Sequence, residues 1–340
     1  MSHLQLNTSG KGKARVYLAL AFFTGCLCAY LFLRSPWPQT LAPKIVRQDL
    51  TCDYIINRVN GFDRVKPVLS VERQAESPEF NALKMALSEL IDSLRRTGMT
   101  SQASVYLREF DQGEWLSVNK EVEYHPASLM KVALLLCYLK VAESNPALLQ
   151  QKWLYPKNMV QDATPQFYMA PSIQAGKKYS LHELLYYMIA YSDNNATELL
   201  ASRSDKNQLE QLFASFGLRP PVEDKAKFTL NADTYSVFIK AIYNSAYLSP
   251  EFSEYAAELL SNCDFKEGFV KGFPDDTKMW HKFGEWRSLG NDYELHEAGV
   301  FFVKEKPYLL TVMTRGKDTP KLAETISAIA RKVYEKVSPP

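Results

Sequence analysis

The sequence predicts an α+β fold: an antiparallel five-stranded sheet flanked by N- and C-terminal helices, an all-α subdomain inserted between its strands, and one transmembrane helix ahead of it. Three observations carry that expectation. A hairpin-like pair of short runs falls early, at 103–118, three further strand-like runs fall late, at 279–314, and helical patterns occupy the interval.

At the N-terminus, Lys11, Lys13 and Arg15 precede an uncharged run from Val16 to Leu33, which Arg34 closes. As a helix this run spans roughly 27 Å, close to the hydrocarbon thickness of a bilayer. The basic residues lead it, so the positive-inside rule assigns residues 1–15 to the cytoplasm, 16–33 to a membrane anchor, and the rest to the periplasm or cell exterior. A lipoprotein signal ending at Thr24-Gly25-Cys26 is the competing reading, but the apolar run continues through Cys28, Tyr30 and Phe32. Three prolines between Ser35 and Arg47 mark a linker, and 48–78 give no pattern that can be assigned. The folded domain is expected over 79–340, with its helical subdomain at about 128–260.

From Phe80 to Arg96, Leu83, Leu87, Leu90, Ile91 and Leu94 recur at helical spacing, and Gly98 stops the helix. The runs Ala103 to Phe110 and Trp115 to Val118, joined by Asp111-Gln112-Gly113, read as a hairpin. A helical stretch begins at Ser128. Ser180 with Glu183 forms a capping box for a second helix, and Asn231 caps a third over Ala232 to Ala246. Met279 to Trp286, Glu297 to Val303 and Tyr308 to Thr314 are strand-like, with Lys306-Pro307 turning between the last two. A helix from Lys321 to Val337 closes the chain, with Leu322, Ile326, Ile329, Ala330 and Val333 on one face.

Forty basic against thirty-eight acidic residues leave no run that could track a phosphate backbone, so nucleic acid is not an expected partner. Cys52, Cys137 and Cys263 outside the span are an odd set and imply no disulfide framework. No cysteine or histidine pair has zinc-site spacing, so neither a metal nor another cofactor is expected.

Three short motifs carry chemistry. Ser128 and Lys131 lie one helical turn apart, where an amine can reach the hydroxyl and a helix start favours negative charge on the oxygen. A lysine kept neutral by burial or a second cation can then take the proton. Taken alone, Ser128 reads equally well as a helix cap and Lys131 as a solvated charge. Ser192-Asp193-Asn194 lies between two helical runs, where such residues also serve as caps. Lys282-Phe283-Gly284 lies on the first late strand, where the glycine lets another backbone approach and a lysine also protects a sheet edge.

In this order, S-x-x-K, S-D-N and K-x-G resemble the signature of class A β-lactamases and penicillin-binding proteins. The resemblance runs from about Phe80 to Val337. It implies Ser128 as acylated nucleophile, Lys131 as its base and Ser192 as proton shuttle to the leaving nitrogen. Asn194, Lys282, Gly284 and Glu285 would bind substrate. The backbone N–H groups of Ser128 and Glu285 would form the oxyanion hole. Expected substrates are small molecules or peptides, either β-lactams or D-alanyl stem peptides like those of peptidoglycan.

Two departures qualify that expectation. The stretch from Phe216 to Leu230 lacks the Glu-x-x-Leu-Asn pattern of the deacylating loop, and its Glu223 and Asp224 read as surface charges. Phe283 stands where the family has a hydroxyl residue and cannot donate a hydrogen bond. Slow deacylation and weakened carboxylate recognition are therefore expected, and a catalytically silent binding or scaffolding protein of the cell envelope is the rival reading.

Overall fold

The computed structural model describes residues 54–160, 167–221, 227–287 and 292–338. The anchor expected at 16–33, the linker, Glu223 and Asp224 lie outside the described residues. Among the described residues no helix is long and apolar enough to cross a membrane.

The chain first forms an antiparallel hairpin of β1 (Tyr54–Arg58) and β2 (Val68–Arg73), in a stretch whose sequence gave no assignable pattern. Glu72 ties it down, with its Oε1 2.5 Å from both the Arg108 guanidinium and Lys240 Nζ. One compact unit therefore extends from Asp53 to Pro340, past the boundary expected at 79.

Next come α1 (Asn81–Arg96), which buries Leu83, Leu87 and Ile91 on one stripe, and the hairpin β3 (Gln102–Glu109) and β4 (Trp115–Val118). Gly98, at φ 71°, ends α1 in the left-handed conformation. A 3-10 turn over Ala127–Met130 opens α2 (Lys131–Ser144), and a small sheet pairs β5 (Lys152–Leu154) with β6 (Lys178–Ser180). The helical insertion continues through α3 (Leu181–Ala190), α4 (Asn194–Ala201), α5 (Lys206–Ser215), α6 (Ala232–Tyr243) and α7 (Pro250–Ser261). The expected caps form: Ser180 and Glu183 exchange both capping-box bonds, and Asn231 Oδ1 accepts the Thr234 N–H at 2.8 Å. A short α8 (Phe269–Gly272) precedes β7 (Met279–Arg287), β8 (Tyr293–Val303), β9 (Lys306–Gly316) and α9 (Thr319–Val337).

The five long strands pair antiparallel in the order β4-β3-β9-β8-β7, which leaves β7 with a free edge. Two details differ from the sequence expectation. The turn between the last strands is Lys304-Glu305, both at positive φ, while Lys306 and Pro307 already pair with Val303 and Phe302. β8 starts four residues earlier than expected because Glu294 and His296 are buried with partners, which apolar alternation cannot register.

Side chains alternate across the sheet, so it carries two cores. Trp280, Val300, Leu309 and Met313 pack against the helical insertion, whereas Phe283, Leu295, Phe301 and Val312 pack against the terminal helices α1 and α9. The free edge of β7 and the helical insertion meet at the turn that carries Ser128.

Candidate active site

The Ser128 turn is anchored at both ends. The Glu294 carboxylate accepts the His125 N–H at 2.8 Å, and His296 Nε2 lies 3.0 Å from the His125 carbonyl. The His125 ring stacks on Trp286 of β7 with centroids 3.9 Å apart. Downstream, the Tyr235 hydroxyl donates to the Leu129 carbonyl at 3.0 Å. Ala127 at φ 52° lets the chain reverse between these anchors, leaving Ser128 half-buried one turn before Lys131. Ser128 therefore lies within a 3-10 turn whose cap position is Pro126, and is not itself the cap.

Lys131 is buried and faces the Ser192 turn. Its Nζ lies 2.5 Å from the Ser192 carbonyl oxygen, 3.1 Å from Ser192 Oγ and 2.7 Å from Asn194 Oδ1. Ser192 holds φ 54°, a conformation costing of order 1–3 kcal/mol in a non-glycine residue. Asp193, to which the motif reading gave no role, offsets that strain. Its carboxylate accepts Ser172 Oγ–H at 2.7 Å and the N–H groups of Ile173 and Asn195 at 3.0 Å each, and it also caps α4. The available signal was its place directly before a helical run.

Gly284 brings β7 to the nucleophile turn. A Cβ there would stand 2.9 Å from the Leu129 nitrogen and 3.0 Å from the Pro126 oxygen, both backbone atoms, so only glycine permits this approach. Lys282 belongs to the same face of β7 and is fully buried. Its ammonium donates to the Phe283 carbonyl at 2.9 Å and sits 4.1 Å from the Phe283 ring centroid.

Phe283 and Glu285 belong to the other face. The Phe283 ring is buried, stacks on Phe265 at 4.5 Å and takes Tyr168 edge-on at 5.1 Å. The Glu285 carboxylate accepts the Phe167 N–H at 2.9 Å and 3.1 Å. Burial pushes this carboxyl above its ordinary value, against the pull of the backbone bonds from Phe167 and Tyr168. Glu285 thus holds a segment of this chain across the end of β7, a partner that no local motif announces.

The electrostatics separate two lysines. Burial holds Lys131 well below its ordinary value, the Lys282 charge lowers it further, and Asp193 and Glu198 only partly oppose this. Burial also lowers Lys282, to about 8, while Cys263 and Glu297 pull it back upward. The site can thus offer an unprotonated amine at Lys131 beside a cation at Lys282. Among the described residues no cluster of three or more His, Cys, Asp or Glu could hold a metal ion.

The model of the β-lactamase enzyme family matches residues 83–337, three quarters of the chain. The fold is shared with solved structures of low sequence identity. PBP-A is 21% identical at TM-score 0.62, over 76% of this chain and 97% of its own. A β-lactamase from Chitinophaga pinensis is 18% identical at TM-score 0.65, covering 75% and 99%. The TLA-1 extended-spectrum β-lactamase is 16% identical at TM-score 0.63, also covering 75% and 99%. No curated protein matches the chain. With the family match spanning both halves of the sheet and the whole helical insertion, the chain belongs to the β-lactamase enzyme family.

Proposed function

We propose that this protein is an envelope serine hydrolase that forms an acyl-enzyme at Ser128 with β-lactams, D-alanyl peptides or related amides, held at the membrane by residues 16–33. The observation that carries the proposal is the contact of Lys131 Nζ with Ser192 and Asn194 one turn after Ser128. A neutral Lys131 accepts the Ser128 proton as Oγ attacks the acyl carbon, and the oxyanion forms against the backbone N–H groups of Ser128 and Glu285. Ser192 passes a proton to the leaving nitrogen, so the C–N bond breaks as the Ser128 ester forms. Asn194 and the β7 edge at Gly284 orient the substrate amide, and Lys282 supplies the positive charge for Ser192 and a substrate carboxylate.

Deacylation is slow in this reading, because the Phe216 to Leu230 stretch lacks the family's Glu-x-x-Leu-Asn pattern. A fluorescent penicillin tests the proposal. Labelling of the wild type, its loss in Ser128→Ala and an adduct persisting for many minutes are expected. Residues 16–33 are tested separately by whether the chain stays with membranes after a high-salt wash.

A second reading is favoured by one contact, the Phe167 N–H held by Glu285 over the end of β7. If this segment stays seated against the end of β7 where a substrate would pair, the protein acts as a silent scaffold. Absence of any Ser128-dependent adduct with β-lactam and activated-ester probes alike decides for it.

A further inference from the structure

Two neighbouring cross-strand pairs on one face of β7 and β8 close around a single residue, His125, just ahead of the nucleophile. Trp286 stands opposite Glu294 and Gly284 opposite His296, so these four positions share the face turned toward the Ser128 turn. Each meets a different part of that turn. Trp286 carries the His125 ring in a stack tilted by 18°, Glu294 and His296 hold the His125 N–H and carbonyl, and Gly284 leaves room for the Pro126 carbonyl.

Backbone donors fix how the two imidazoles carry their protons, because an amide N–H can only donate. The Thr314 N–H donates to His296 Nδ1 at 3.2 Å, so His296 Nε2 holds the proton that goes to the His125 carbonyl. The Ala127 N–H likewise donates to His125 Nδ1 at 3.1 Å, which makes that nitrogen an acceptor and puts the proton of the neutral ring on Nε2. An imidazole accepting from the amide two residues ahead does what an asparagine side chain does in an Asx turn. It does so at Ala127, whose φ of 52° is in the left-handed region.

The consequence falls on the next amide. With the Ala127 N–H held by the imidazole and the Leu129 N–H by the Pro126 carbonyl at 3.0 Å, the amides on either side of the Ser128 N–H are both tied within the turn. The planar peptide unit between Ala127 and Ser128 is thereby oriented, and it carries one of the two N–H groups assigned to the oxyanion hole. The other belongs to Glu285, next to Trp286 on β7. The His125 ring therefore touches the turn that supplies one donor and the strand residue beside the second.

Resting on the acyl-transfer reading of the cleft, we infer that the His125 imidazole is a positioning residue, which through its Nδ1 acceptor and its stack on Trp286 holds the Ser128 N–H and β7 together as one oxyanion hole. It acts through the Ala127–Ser128 peptide unit and not on the substrate itself.

Three variants of the full chain separate the acceptor from the ring. His125→Asn keeps an acceptor for the Ala127 N–H without the stack, His125→Phe keeps a ring on Trp286 without an acceptor, and His125→Ala has neither. In fluorescent-penicillin labelling, His125→Phe is expected to lose about 10²-fold in limiting acylation rate, the scale of one lost oxyanion donor, with the half-saturating concentration little changed. His125→Asn is expected to stay within about tenfold of the wild type, and His125→Ala to fall at least as far as His125→Phe. Labelling of His125→Phe at the wild-type rate overturns the inference. So does an equal loss in His125→Asn and His125→Phe, or a loss confined to the half-saturating concentration.

Two measurements do not depend on labelling. Nitrogen NMR of the wild type at about pH 8, above the ordinary imidazole range, is expected to show His125 Nδ1 unprotonated and Nε2 protonated. A proton on Nδ1 refutes the arrangement even if labelling succeeds. Deuterium exchange of the Ala127 amide is expected to be at least about tenfold faster in His125→Phe than in the wild type and His125→Asn, and equal rates overturn the inference. If the wild type is never labelled, the acyl-transfer reading fails, and these two measurements still decide whether the imidazole holds the turn. Should the variants fail to fold, the wild-type nitrogen shifts decide alone.

Discussion

Lys131 Nζ and Asn194 Oδ1 stand 2.7 Å apart, so a neutral amide faces the amine that the proposed acyl transfer requires to be neutral. Replacing that amide with a carboxylate tests the relationship. Asn194→Asp places a negative charge against Nζ, which favours the ammonium and moves Lys131 upward. At neutral pH, labelling of Ser128 should fall by about 10²-fold or more, within the usual range for losing general-base catalysis, and recover as pH rises. Stopped labelling reactions between pH 6 and 10 check this, and a loss equal at every pH would instead indicate damaged geometry.

Gly284 is the second point at which a small change should be decisive. An alanine methyl would meet the backbone at Leu129 and Pro126, which cannot rotate away as a flexible side chain could. β7 must then withdraw from the Ser128 turn, and a shift near 1 Å in such a site costs roughly 10²-fold in rate. Gly284→Ala is expected to lose labelling by that factor while unfolding within about 1–3 kcal/mol of the wild type, the usual overpacking range. Parallel labelling rates and urea midpoints separate the two effects.

How much of this site the sequence disclosed follows from where its interactions lie along the chain. Ser128 with Lys131, and Ser192 with Asn194, are close along the chain, so each pair was visible as a short motif, but it was the resemblance to the family signature and not spacing that singled them out. The sheet followed from alternation. The β1–β2 hairpin was missed because its stability is supplied from elsewhere, through Glu72 to Arg108 and Lys240. The Phe167 bond to Glu285 spans 118 residues, and neither partner stands in a motif that announces it. Phe283 was noted for the hydroxyl it lacks, whereas the structure gives the positive reason for a ring there, a place in the stack with Phe265 and Tyr168.

That stack predicts the outcome of restoring the family's hydroxyl. Phe283→Thr removes a buried ring from contact with Phe265 and Tyr168 and leaves a cavity, so a loss of roughly 3 kcal/mol is expected, near the lower end for aromatic truncations. Urea unfolding should show a lower midpoint with an unchanged slope. Faster labelling by carboxylate-bearing β-lactams is not expected, because position 283 faces the aromatic layer. A variant as stable as the wild type would mean that the ring contributes little packing.

Glu72 is an acid-sensitive tie between the N-terminal hairpin and the domain. Burial alone would push its carboxyl up, but Lys240 and then Arg108 outweigh it and hold Glu72 below its ordinary 4.5. A carboxyl lowered in the folded state binds fewer protons there than in the unfolded chain. Its stabilisation is therefore complete above the unfolded value of about 4.5 and is lost as pH falls through the folded value. Glu72→Gln leaves Lys240 and Arg108 buried without their counter-charge, and breaking a buried pair in this way typically costs about 3–5 kcal/mol. The variant should unfold at a lower urea concentration at pH 7, while the gap to the wild type closes below pH 4.5 as the native carboxyl protonates. A gap that stays constant from pH 7 to 3 would show that shape, and not charge, fastens the hairpin.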